Sequence, residues 1–91
     1  MVDQALIFAN LIKGVEVSQV AQDFNLSENE VNRIFSFVLR KVKSYAFERK
    51  MSIMVAKNIA EAQKYKISCL QILPKLNLLK EPKYKDIQYE I

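Results

Sequence analysis

The chain has 91 residues, 51% of them hydrophobic, which allows one small domain with a modest core and leaves no room for a second, catalytic one. Histidine is absent and Cys69 is the single cysteine. The usual general base, the commonest transition-metal ligand, an internal disulfide and a Cys–His nucleophile are therefore missing, and neither enzymatic activity nor any metal or other cofactor is expected. The formal charge of +4 is unevenly spread, with a net −4 over residues 1–32 and +8 over the remainder, and this basic concentration suits a polyanionic partner.

One Gly and two Pro in the whole chain leave few helix breakers, and alternating β patterns are almost absent, so the expected class is all-α. No apolar run approaches the roughly 20 residues needed to span a bilayer, and no secretory leader opens the chain. With its lone cysteine, the chain is expected in a reducing cytoplasm, away from membranes.

The first predicted helix covers residues 4–13, where Leu6, Ile7, Phe8, Leu11 and Ile12 make a broad apolar side, Asp3 can cap the start and Gly14 can end it. A shorter helix over 17–24 repeats Val17, Val20, Ala21 and Phe24 at helical spacing, but its start at Glu16 is weakly capped. Asn25 then suits a turn. The third helix begins most clearly, because Ser27 followed by Glu30 is a capping box, with Leu26 and Val31 as its hydrophobic staple. Val31, Ile34, Phe35, Val38, Leu39, Val42 and Tyr45 or Ala46 extend its apolar stripe, and the stripe stops between Glu48 and Ser52.

A fourth helix is predicted from about Ser52 to Pro74, carrying Ile53, Ala56, Ile59, Ala60, Gln63, Ile67 and Leu70 as a three-four repeat. This seam either packs on its own domain or joins two copies as a homodimer, and one helix can do both on different sides. From residue 74 the chain becomes Pro- and Lys-rich and reads as an extended or partly disordered tail. Within it Lys83-Tyr84-Lys85 repeats Lys64-Tyr65-Lys66, and Ile87, Tyr89 and Ile91 alternate like a short strand. The expected organisation is a core over 1–50, a C-terminal helix over 51–73 and a basic tail over 74–91.

Val17 to Ser36 places the small Ala21 where two helices cross, Asn25 in the turn and Val31 as the anchor of the second helix, which is the pattern of a helix-turn-helix. With Val31 and Ile34 turned inward, Asn29, Asn32, Arg33 and Ser36 face outward in a row that can lie along a major groove. Asn can pair bidentately with adenine, Arg with guanine, and Ser with either. Lys13, Arg40, Lys41 and Lys43 are assigned to phosphates, which fix orientation and affinity without reading sequence.

Leu11-Ile12-Lys13-Gly14, Val20-Ala21, Leu26-Ser27-Glu28, Val31 and Val38-Leu39-Arg40-Lys41-Val42 together resemble the LuxR/GerE-type DNA-binding domain over roughly residues 5–42. Sigma-factor region 4 and several phage and plasmid regulators share the pattern. Glu16, Glu30 and Asn32 depart from that family's usual residues. The resemblance implies a four-helix unit whose third helix enters the major groove, at positions corresponding to Asn32, Arg33 and Ser36, and whose fourth helix commonly dimerises. The expected function is thus that of a small bacterial, phage or plasmid transcription regulator binding double-stranded DNA as a dimer. The alternative is a protein-interaction module on the same scaffold, bound to polymerase or another regulator.

Overall fold

The computed structural model of the chain describes residues 3–78, and among them every regular element is helical. The readings for Lys83-Tyr84-Lys85 and for the alternating residues 86–91 lie outside the described residues.

α1 (Gln4–Ile12) starts at Asp3, whose carboxylate accepts the Leu6 N–H at 3.0 Å. It stops at Gly14, where a φ of 102° lets the Gly14 and Val15 amides turn back onto the Leu11 and Asn10 carbonyls at 3.1 and 3.0 Å. Such left-handed closure satisfies carbonyls that the last helical turn leaves without partners. α2 (Val17–Phe24) begins at Glu16 with no side-chain cap, and ends at Asn25 in the left-handed region (φ 55°), with Leu26 N–H donating to the Ala21 carbonyl at 2.8 Å. α3 (Glu28–Glu48) follows after a turn of three residues and runs for 21 residues, about 31 Å at the helical rise. It closes by the same device, with Lys50 at φ 54° and Met51 N–H on the Ala46 carbonyl at 2.9 Å.

α1 packs on α3 through Phe8 and Phe35, whose rings stack with centroids 5.0 Å apart. Ile7, Leu11, Val20, Val31, Ile34, Val38 and Val42 are fully buried around them, each such side chain contributing roughly 1.5–3 kcal/mol relative to exposure. Ala21 is also buried; its small side chain lets α2 approach the helices beneath it.

The single helix expected after residue 51 is not formed. Instead Ser52–Val55 is one 3-10 turn, Ala56 to Asn58 is extended, and two short helices follow, α4 (Ile59–Gln63) and α5 (Lys66–Ile72), ahead of a last 3-10 turn, Leu73–Lys75. Two local conformations break the helix. Asn58 (φ −153°, ψ 178°) caps α4 with its side chain, and Tyr65 (φ −115°, ψ 36°) separates α4 from α5.

The seven residues of the expected seam consequently share no common face. Ile53 and Ala56 are fully buried in the core, Ile59 and Leu70 are partly buried against it, and Ala60 and Ile67 are exposed. Gln63 Nε2 donates to the Leu11 carbonyl at 3.0 Å, tying α4 to the end of α1. Nor do the first three helices close the core by themselves: one hydrophobic cluster extends through Ala62, Cys69, Ile72 and Leu73, with Leu76 and Leu78 packed against it. The segment expected to pack on its own domain or to dimerise, with the start of the expected tail, forms the far wall of a single core.

Candidate nucleic-acid interface

The exposed side of α3 is set by how its start is held. Ser27 Oγ accepts the Glu30 N–H at 3.1 Å while the Glu30 carboxylate accepts the Ser27 N–H at 2.8 Å, completing the capping box. This interaction turns the Glu30 charge back toward the interhelical turn, so the acid at the head of the helix has a structural role.

Beyond the cap, Asn29, Asn32, Arg33, Ser36 and Arg40 are exposed and Lys43 is half-buried. Their spacing of three and four places them on one stripe of the helix. The extended segment after α3 folds back beside this stripe. Asn32 and Ser36 share a recess with Lys57, Asn58, Ile59 and Ala60, and Ser36, Arg40 and Lys43 line a neighbouring groove with Lys57, Met54 and Val55.

Lys57 therefore stands beside the stripe although it is far from it in sequence. Its backbone is braced: Glu61 N–H donates to Asn58 Oδ1 at 2.8 Å, and the Glu61 carboxylate accepts the Lys57 N–H at 2.8 Å. Sequence reasoning missed Lys57 and Asn58 because it placed both inside a continuous helix. Asn58 followed three residues later by Glu61 is nonetheless the same type of start signal as Ser27 and Glu30.

Two of the expected phosphate contacts lie elsewhere. Lys41, one residue and about 100° of helical turn beyond Arg40, places its ammonium over the Phe37 ring at 5.4 Å. Lys13 is exposed on a different element, as the residue that closes α1.

Electrostatically the stripe is open. The one ion pair among the described residues joins Arg49 to Glu48 at 3.6 Å, and Arg49 also stacks on Tyr45 at 3.6 Å and donates to the Tyr45 carbonyl at 3.1 Å. Arg33, Arg40, Lys43 and Lys57 have no carboxylate partner among those residues, so their charge is available to an external anion. Within α2, Asp23 accepts a hydrogen bond from Gln19 at 2.8 Å.

Cys69 belongs to none of this. It is fully buried, its Sγ is 3.9 Å from the Ala62 carbonyl, and burial pushes its pKa up to about 11, which leaves it a protonated packing residue at neutral pH. Among the described residues no three His, Cys, Asp or Glu side chains gather in a way that could hold a metal ion, and no helix is long and apolar enough to cross a membrane.

Comparison with protein-family models, with curated proteins and with solved structures finds no match.

Proposed function

We propose that this chain binds double-stranded DNA through α3, with Asn29, Asn32, Arg33 and Ser36 reading base edges and Arg40, Lys43 and Lys57 holding phosphates. The observation that carries the reading is the stripe itself: polar, bidentate-capable side chains at the start of a firmly capped helix after a helix-turn-helix turn, followed along the same side by cations without acidic partners among the described residues. Base edges are reached from the N-terminal part of such a helix, and phosphates by its surroundings. Compared with the sequence expectation, Lys57 joins the phosphate set and Lys13 and Lys41 leave it.

A transcription regulator resembling the LuxR/GerE type is the function class we infer from this chemistry. A homodimer, if formed, does not use the full seam, because Ile53 and Ala56 are already buried in one chain. Two copies on an inverted repeat would place their α3 helices in successive turns of the major groove, about 10 bp apart.

The test is a fluorescence-anisotropy titration of a labelled mixed-sequence duplex between about 50 and 200 mM salt, where released counterions weaken phosphate-held complexes steeply. Arg40→Ala, Lys43→Ala and Lys57→Ala are each expected to lower the slope of log affinity against log salt by about 1, and Lys41→Ala to lower it less. Affinity independent of salt, or an unchanged slope in all three variants, overturns the assignment.

A further inference from the structure

The second half of α3 presents chemistry that DNA does not require. Phe47, on the same side of the helix as Arg40 and Lys43, is 71% exposed. Across from it, the 3-10 turn Ser52–Val55 presents Met54 and Val55, 37% and 57% exposed. These three side chains line one open groove of about 850 Å³, with Arg40, Lys43 and Lys57 around it. Three of the five large hydrophobic side chains exposed among the described residues thus converge on one place. Singly scattered exposed apolar residues are ordinary; three gathered in one groove with a charged rim, Arg40, Lys43 and Lys57 with Glu48, are the pattern of a binding surface.

We propose that this groove docks an acidic amphipathic segment of another protein, its apolar side chains seated against Phe47, Met54 and Val55 and its carboxylates on Arg40, Lys43 and Lys57. Charge complementarity selects this occupant. The acid in the groove lining, Glu48, is within 3.6 Å of Arg49, so the three cations dominate the edge. A second copy seated in a symmetric manner would oppose these cations to themselves, which disfavours that pairing. DNA offers no apolar surface extensive enough to cover the three hydrophobic residues, and the base-reading part of α3 lies toward its other end. An amphipathic helix satisfies both the apolar floor and the basic edge, as in helix-in-groove recognition.

The proposal shares Arg40, Lys43 and Lys57 with the DNA reading, while the apolar contacts at Phe47, Met54 and Val55 are its own, so peptide binding is tested in the absence of DNA. The full chain is used as bait for a displayed library of random peptides, and enriched peptides are synthesised with a fluorophore and titrated by anisotropy. Enriched sequences are expected to combine Asp or Glu with Leu, Ile, Phe or Met at helical spacing. Phe47→Ser and Val55→Ser, both at exposed positions, should weaken them about 10-fold or more, and Lys57→Ala should weaken them with a reduced salt dependence. Arg33→Ala should leave them within about twofold, since rim and distant residues carry little binding energy. Circular dichroism confirms that each variant retains its helix content. No enrichment, enrichment of basic or purely apolar peptides, or binding indifferent to Phe47→Ser and Val55→Ser overturns the proposal. So does either rival occupant: self-association in light scattering that Phe47→Ser abolishes assigns the groove to a second copy, and loss of duplex binding in Phe47→Ser assigns it to DNA.

Discussion

Removing the capping box tests how α3 is aimed. Ser27 and Glu30 exchange two hydrogen bonds, at 3.1 and 2.8 Å, which satisfy two of the amides that the helix start and its turn leave without backbone partners. Ser27 is exposed and Glu30 half-buried, so water recovers part of what each substitution removes. Ser27→Ala and Glu30→Ala are then expected to cost about 1 kcal/mol each, which lowers the melting temperature of a domain this size by roughly 4–8 °C. Because each residue also orients the other, the double variant should cost less than the sum, by about 0.5 kcal/mol. Glu30→Gln keeps an acceptor oxygen and loses only the favourable carboxylate interaction with the helix dipole, so it should cost about 0.3–0.5 kcal/mol. Urea unfolding followed by far-ultraviolet circular dichroism measures all four. Strictly additive single costs, or a neutral Glu30→Ala, would refute the reasoning, since Glu30 would then be an ordinary surface acid.

Two further substitutions and one titration probe the rest of the fold. Gln4 is 2% exposed and neither of its amide atoms has a hydrogen-bond partner among the described residues, so Gln4→Met should stabilise the fold by about 1–2 kcal/mol; a destabilisation in urea melts would mean the amide is satisfied in solution. Lys50 holds a left-handed conformation at φ 54°, which costs an L-residue about 1 kcal/mol, and Lys50→Gly should recover about 0.5–1 kcal/mol of it. Cys69, whose pKa burial raises from 9.0 to about 11, should show its thiolate absorbance near the higher value when folded and near the lower one in denaturant. Because the unfolded chain loses this proton first, stability should be fully present below about pH 9 and fall as pH rises toward 11. A folded titration near 9 would contradict the burial.

The first half of the fold was legible because its boundaries, the uncapped start of α2 at Glu16 apart, are written in local chemistry. Asp3, Gly14, Asn25 and the Ser27–Glu30 pair act through side chains or backbone conformations within a few residues of where they stand, so reading them needs no knowledge of the fold. The second half misled for a complementary reason. Ile53, Ala56, Ile59, Gln63, Ile67 and Leu70 recur at helical intervals, but a core can collect one residue from each of several short turns and produce the same recurrence. Only the Asn58–Glu61 cap, a local signal, distinguishes the two arrangements. The outward row of Asn29, Asn32, Arg33 and Ser36 followed from periodicity alone. Lys57 could not be found that way, since its place beside Ser36 depends on the chain reversing after Lys50. The groove depends on the same reversal, which brings Met54 and Val55 opposite Phe47.

The most direct measurement of the central claim is selection of duplex DNA from a random pool by the full chain, run in parallel with Asn32→Ala and Arg33→Ala. DNA reading by α3 requires enrichment of a short motif by the wild-type chain, with each variant relaxing the preference at its own base position by about 1–3 kcal/mol while retaining salt-dependent binding. A pool that stays random, or a motif that both variants enrich unchanged, would contradict it.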